Sequence, residues 1–427
     1  MKPRSPMLFL FLTVLIDLLG VGIVLPLMPY YVKIVEQSSI PWLADNRAMV
    51  VGALTASFAL MQFLFAPMLG ALSDRYGRRP ILLVSLLGSA LSYALFGVAE
   101  YLSFLGVETV LVILFLGRIL SGITGASIST AQAYIADVTT PENRAKGMGM
   151  IGAAFGLGFM LGPALGGLLS TISLATPAFF AALLALANVI FGYFNLPESL
   201  PPERRTVAPV RGVNPLERVH ALLRRPSIQP LLIGVFLLNL AFASLQSNFA
   251  VFSDVRFGFG PLDNALIFTL VGILAVLMQG VLIRRLVLAF GEARLAVMGM
   301  TLMAIGFVAI AFVPEAWLLF PAVGVVAIGS GMATPSLTSL ISRRVAAHEQ
   351  GTTLGGTQAI TSLTMIAGPI FAGVTFDSID AGAPYYLGGI LIAAAVAVVG
   401  SALLPAIRQR VEQPQGGVVI GRMETTE

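Results

Sequence analysis

Twelve predominantly apolar stretches of about 20 or more residues follow one another along the chain, at 7–32, 47–72, 80–99, 108–134, 145–170, 175–196, 229–253, 264–288, 294–313, 316–341, 352–375 and 384–407. At about 1.5 Å rise per residue, each reaches across a hydrocarbon layer roughly 30 Å thick as a helix. The pattern predicts an all-α integral membrane protein with twelve transmembrane helices. Polar intervals between the runs are short, except PESLPPERRTVAPVRGVNPLERVHALLRRPSI at 197–228. That Pro- and Arg-rich interval reads as a linker between two six-helix bundles, 1–196 and 229–408, with a short amphipathic helix over 215–225 and a polar tail at 409–427.

An internal comparison supports the division. IADVTTPENRAKGMGMIGAAFGLGFMLGPALGG at 135–167 aligns without gaps to ISRRVAAHEQGTTLGGTQAITSLTMIAGPIFAG at 341–373. The same offset carries Gly125 onto Gly331, Gly162 onto Gly368 and Pro163 onto Pro369. A constant offset through a helix, a charged loop and a Gly-Pro pair argues for a parallel repeat, an architecture of secondary transporters that places the substrate site between the halves.

Composition narrows the chemistry. Hydrophobic residues make up 57% of the 427 and charged residues 11%, too few charges for a soluble domain. Without cysteine, disulfides, thiolate metal sites and cysteine nucleophiles are excluded, and two histidines leave little for zinc. Of the 25 lysines and arginines, all but Lys33, Arg47, Arg256 and Arg118 fall in the linker, the tail or the loops on the side of the termini. The excess predicts that both termini are cytoplasmic in a cell membrane, and it explains the net charge of +4 without nucleic acid. The first apolar run is read as a retained helix rather than a cleaved leader. GMGMIGAAFGLG at 147–158 lies in an apolar run and lacks a P-loop Lys-Ser/Thr, so no nucleotide site is expected; nor is any enzyme, cofactor or metal.

Only two ionisable residues lie deep in the runs. Asp17 interrupts LIDLLGVGIVLP, and Arg118 sits about ten residues inside the fourth run. An ionisable group at that depth costs at least roughly 2.5–3.5 kcal/mol on insertion scales, so each is expected to face the interior, and one shared cavity is the simplest arrangement. Desolvation favours a neutral carboxyl group and a nearby arginine favours a charged one, so alternating exposure would let Asp17 carry a proton. The alternatives for Asp17 are a permanently ionised partner of Arg118 or a hydrogen-bonded kink residue near Gly20 and Gly22. Arg118 reads equally as a partner of Asp17 or substrate and as a packing residue bonded to backbone carbonyls.

Polar residues Gln62, Asn239, Gln246, Asn248, Gln279 and Gln358, near Phe58, Phe249 and Phe252, are candidates to line a cavity for amphipathic ligands, with Asn239, Gln246 and Asn248 the leading group. Each alone also reads as an interhelical hydrogen bond. Gly156, Gly158, Gly162, Pro163, Gly166 and Gly167 expose backbone for close helix approach and loosen the helix at Pro163. In GALSDRYGRRP (70–80), Gly70 permits close packing and Asp74 ends the second run, followed by Arg75, Gly77, Arg78 and Arg79. Those arginines can bind an acid, a helix C-terminus or lipid phosphate.

GALSDRYGRRP, LGRILSGITGA (116–126) and GLGFMLGPALGGLL (156–169) resemble, respectively, the loop signature, the fourth-helix arginine motif and the fifth-helix antiporter motif of the major facilitator superfamily. IDLLGVGIVLPLMP (16–29) and AYIADVTTPENRAKGMG (133–149) are similar to the proton-coupled drug antiporters, particularly the tetracycline efflux proteins. One difference stands out: the ninth run, LAVMGMTLMAIGFVAIAF, lacks the acid those proteins carry there. The resemblance implies a major facilitator fold, proton-coupled export of a lipophilic or amphipathic small molecule, and no partners beyond substrate, protons and membrane lipids, a single chain sufficing. It also implies that Asp17 and Arg118 serve proton coupling, and that Asp74 with its arginines forms a latch favouring the outward-facing state. The competing readings are a proton-coupled symporter or facilitator of a nutrient such as a sugar, and a transporter-shaped receptor or chaperone without flux.

Overall fold

A computed structural model of the protein describes residues 6–205, 215–346 and 349–412. Among them every regular element is helical. Twelve helical segments are long and apolar enough to cross a membrane: α1 (Met7–Gln37), α2 (Arg47–Tyr76), α3 (Arg78–Tyr101), α4 (Val107–Val138), α5 (Gly149–Ser170), α6 (Ala175–Asn195), α7 (Gln229–Phe257), α8 (Pro261–Phe290), α9 (Glu292–Phe312), α10 (Ala316–Arg343), α11 (Thr353–Ser378) and α12 (Ala383–Leu403). Helix is the form these runs take because lipid offers the backbone no hydrogen bonds, and a helix satisfies its own. Pro67, Pro163, Pro335 and Pro369 all lie inside their helices without ending them.

Three spans are less regular than their apolar runs. The fourth run was expected to be continuous; instead α4 is interrupted between Ile123 and Ser127. Gln62 of α2 donates from Nε2 to the Gly125 carbonyl, at 2.9 Å, at that break. The backbone of α1 tightens into 3₁₀ turns at Leu25–Leu27 and Lys33–Gln37. A π turn occupies Met278–Leu282 of α8, a form frequent at functional sites. The linker contributes a short helix, Pro215–Leu223, whose Leu222 meets Gly356 of α11. Residues 206–214 of the linker and 413–427 of the tail lie outside the described residues.

The residues before and after the linker bury largely separate clusters, with Val251 of α7 joining one on the first-half side. A large cluster including Leu232, Phe249, Met303, Phe307 and Tyr385 fills the second half. Two clusters, one around Val51, Tyr93 and Leu114 and one around Leu18, Leu86 and Tyr134, fill the first. Between halves, packing is most extensive along α2–α11 and α5–α8. The side carrying the α1–α2 and α7–α8 loops is the far side; the side carrying the 197–228 interval is the linker side.

Among the described residues, every hydrogen bond and ion pair that joins the halves lies on the far side. Asp254 of α7 accepts from Arg47 (2.6 Å) and Lys33 (2.9 Å). Arg47 also reaches Glu36 at 2.9 Å and the Pro29 carbonyl at 3.0 Å. Tyr30 donates to the Phe259 carbonyl and accepts from Asn264. The Met49 amide, near the start of α2, donates to Asp377 of α11 at 2.7 Å. The two halves are thus closed against each other on the far side.

Candidate functional site

Asp17 is 5% exposed. Ser127, the first residue after the α4 break, donates to its Oδ2 at 2.5 Å, and Ser89 of α3 donates to Oδ1 at 3.3 Å. The interruption of α4 therefore has a chemical consequence: it sets a hydroxyl from the start of the second segment against the carboxyl group. One turn along α1, Gly20 leaves room for the Tyr93 ring, which a Cβ there would approach to 2.8 Å.

Arg118 is buried too, yet it does not pair with Asp17. Its guanidinium lies 4.4 Å from the centroid of the Phe58 ring, and its Nε has no hydrogen-bond partner. Arg118 lies in the first segment of α4, before the break, whereas the Ser127 that touches Asp17 opens the second. Tyr93 stands within electrostatic reach of both. Among the described residues no hydrogen bond or ion pair joins Asp17 to Arg118.

A cavity of about 970 Å³ does lie between the halves. Gly22, Leu25 and Pro26 of α1 and Gly152, Phe155, Gly156, Phe159 and Pro163 of α5 form its wall in the first half. Phe242, Gln246 and Phe249 of α7, Phe268 and Gln279 of α8, and Ser330 of α10 face them from the second. The π turn of α8 includes Gln279, so the irregular backbone borders the cavity.

Of the predicted ligand contacts, only Gln246 and Gln279 line this space. Asn239 donates to the Val235 carbonyl in its own helix, and Asn248 is buried with its amide on the Ala372 carbonyl of α11. The reason is angular: two residues rotate about 200° around a helix, so Gln246 and Asn248 point apart. Gln62 is engaged at the α4 break. Gln358 is exposed on α11, outside the lining, because the cavity follows α5 and α8 rather than α2 and α11.

The α5 glycines divide between two neighbours. Gly158, Gly162 and Gly166, at four-residue spacing, meet Leu18, Gly22 and Ile23 of α1; a Cβ on Gly162 would lie 2.6 Å from the Gly22 Cα. Gly167 instead faces Ala265 of α8 in the other half. Small residues give these backbones their close approach.

In the 70–80 loop, Arg78 pairs with Asp74 at 2.5 Å and with Asp137 at the end of α4 at 3.0 Å, and also reaches Ser73. Gly77 has φ 110°, a conformation that favours glycine, and the next two amides, of Arg78 and Arg79, donate to Glu198. Arg79 hydrogen-bonds the Tyr193 carbonyl and lies over its ring, while Arg75 lies over Tyr76. These contacts stay within the first half and the start of the linker. Gly70 does not pack closely as expected: nothing approaches within 4 Å of where its Cβ would be, because this end of α2 faces open space here. Sequence reasoning missed Glu198, Ser89, Ser127 and Asp377. It gave no role to Asp254 either, although Lys33 and Arg47, two of the few basic residues outside the termini-side loops, were a signal that acids near them have partners.

The family model described as Major Facilitator Superfamily matches residues 10–289 and 281–419. Tetracycline resistance protein, class C, of Escherichia coli is 38% identical over 370 residues, covering 87% of this chain and 89% of that one. Multidrug resistance protein 2 of Bacillus subtilis is 32% identical over 385 residues, covering 88% and 90%. Among solved structures, a human organic anion transporter superposes with a TM-score of 0.68 at 26% identity, covering 93% of this chain and 100% of that one. A D-xylose-proton symporter superposes with a TM-score of 0.72 at 19% identity, covering 92% and 97%, which bears on the fold alone. Two six-helix halves around an apolar cavity, a family match running through both, and relatives similar over most of their length agree: the chain belongs to the major facilitator superfamily.

Proposed function

We propose that this protein exports a lipophilic or amphipathic, drug-like small molecule in exchange for protons by alternating access. The observation that carries the reading is the cavity between the halves, aromatic-lined and facing a closed far side. Relatives named for tetracycline and multidrug resistance support export of a drug rather than uptake of a nutrient. The linker side, rich in arginine, is cytoplasmic in this reading, and the membrane is the bacterial inner membrane. The described state is then inward-facing, ready to receive cargo from the cytoplasm.

Asp17 is the proton carrier in the cycle. It takes up a proton when the far side is open and gives it up when the linker side is open, with Ser127 and Ser89 holding the carboxylate between events. Arg118, stacked on Phe58, keeps a positive charge near that region without neutralising Asp17 directly. The Asp74–Arg78–Asp137 network with Gly77, Arg75 and Arg79 keeps the α2–α3 corner rigid, so that Gly70 meets the other half when the linker side closes. One chain supplies every part of this path, so a monomer suffices.

The test uses purified protein in liposomes holding a pH-sensitive dye, an imposed proton gradient and a panel of lipophilic drugs that includes a tetracycline. A drug that dissipates the gradient through wild type but not through Asp17→Asn, with binding retained, is the expected result. Equal drug movement through both, with the gradient untouched, refutes exchange through Asp17.

A further inference from the structure

Among the described residues, the cavity lining contains no ionisable side chain. Its polar side chains are Gln246, Gln279 and Ser330, set among phenyl rings that include Phe155, Phe249 and Phe268. Asp17 is not among the residues that line this space. Gly22 borders the cavity while packing against Gly158 and Gly162, and Asp17, five residues earlier, lies about 140° around α1, turned toward Ser89 and Ser127. A charged cargo in the cavity would lose hydration without gaining a counter-ion. The phenyl faces attract cations, but that attraction is smaller than the hydration a cation gives up.

The same arrangement bears on the proton. Asp17 is the one acid buried at mid-span among the described residues; Asp254 and Asp377 lie at the far-side ends of α7 and α11, engaged in closure. From the uncharged lining and the separate single carboxyl group, we infer that the cargo is an uncharged aromatic amphiphile read by Gln246 and Gln279. It is exchanged for one proton, so each cycle moves one net positive charge across the membrane. The balance is simple: one proton enters on the Asp17 carboxylate, the uncharged cargo leaves, and no other charge moves. Exchange of a monocation for a proton would move none. This inference rests on the proton-exchange reading above.

The experiment sets a membrane potential with potassium and valinomycin across liposomes of the full-length protein, with equal pH inside and out. The probes are radiolabelled chloramphenicol and N-phenyl-1-naphthylamine, both uncharged, and ethidium and tetraphenylphosphonium as cations, each compared with protein-free liposomes. An interior-positive potential drives protons out and is expected to draw an uncharged probe in. One charge in 100 mV corresponds to about 2.3 kcal/mol, which is an equilibrium accumulation of about 50-fold. Gln246→Leu and Gln279→Leu should each weaken binding of that probe while a pH gradient still drives what is bound. If an uncharged probe moves under a pH gradient but ignores the potential, or if only the cations move, the inference is overturned while proton-coupled export stands. If no probe moves under either force, the export reading fails and takes the inference with it.

Discussion

Replacing Asp254 by Asn should tilt the transporter toward its far-side-open state. Asp254 receives Arg47 at 2.6 Å and Lys33 at 2.9 Å, and these bonds join the two halves. Lys33 is half exposed, so its pair is worth about 0–1 kcal/mol. Arg47 is 7% exposed at its side chain, and removing the partner of a buried charge costs about 3–5 kcal/mol. Glu36 and the Pro29 carbonyl remain to Arg47, and asparagine keeps one acceptor, which reduces the loss to about 2 kcal/mol. The cost falls only on the closed state, because opening would leave both groups to water, so the open-to-closed ratio rises about 30-fold. The chain has no cysteine, so spin labels at Ser39→Cys and Leu262→Cys report the distance across the far side in an otherwise native background. Pulsed electron resonance should show a longer-distance population growing in Asp254→Asn and barely changing in Glu36→Gln, whose carboxylate is half exposed. Superimposable distributions for Asp254→Asn and the parent would refute the reasoning.

Three further outcomes are expected. Ser127→Ala removes the short hydrogen bond to Asp17, worth about 1.5–3 kcal/mol to a charged acceptor; proton exchange in liposomes should slow at least about tenfold with cargo binding intact, and Ser127→Thr should recover part of the rate. Gly162→Val would force apart the α1 and α5 backbones, at about 1–3 kcal/mol, and lower the melting temperature in detergent by several degrees, whereas Gly149→Ala, with nothing within 4 Å, should leave it unchanged. Arg78→Ala takes one partner from each of Asp74, Asp137 and Ser73 and should cost about 2–3 kcal/mol of thermal stability, while the far-side label distances stay as in the parent.

The helices were legible because a membrane demands long apolar runs, and Asp17 and Arg118 stood out because charge is costly there. Their surroundings were not legible. Ser89 and Ser127 lie 72 and 110 residues from Asp17 in sequence, and neither is unusual in an apolar helix. The α4 break left no trace in hydrophobicity, since the run continues through it; only Gly125 marked the place. Helical angles alone would have separated Gln246 from Asn248, which polarity had grouped. Gly70 shows a different limit. A close contact formed in one state of a cycle is invisible in another, so its sequence signal and its open surroundings here are compatible.

The repeat also explains how closure is divided between backbone and side chains. Gly162 packs on α1 as Gly368 packs on α7, and Gly167 meets α8 as Gly373 meets α2, each pair at the same offset in sequence. Both seams between the halves therefore rest on glycine backbones, which suits surfaces that must separate and rejoin. The charges depart from the repeat. Arg78 pairs with Asp137 in the first half, while at the corresponding corner Glu292 pairs with Arg343, so the bridge is kept and its polarity reversed. On the far side the departure goes further. Asp377, four residues past Gly373, corresponds to Thr171, which bonds only its own helix. The start of α2 thus takes its capping carboxylate from the opposite half, whereas α8 has Asp263 of its own to hold the Gly260 amide. Opening the far side breaks a helix cap at the α2–α11 seam and none at α5–α8. In the proposed alternating-access cycle, the symmetric backbone would provide the motion and the unsymmetric acids on α7 and α11 would hold the far side closed.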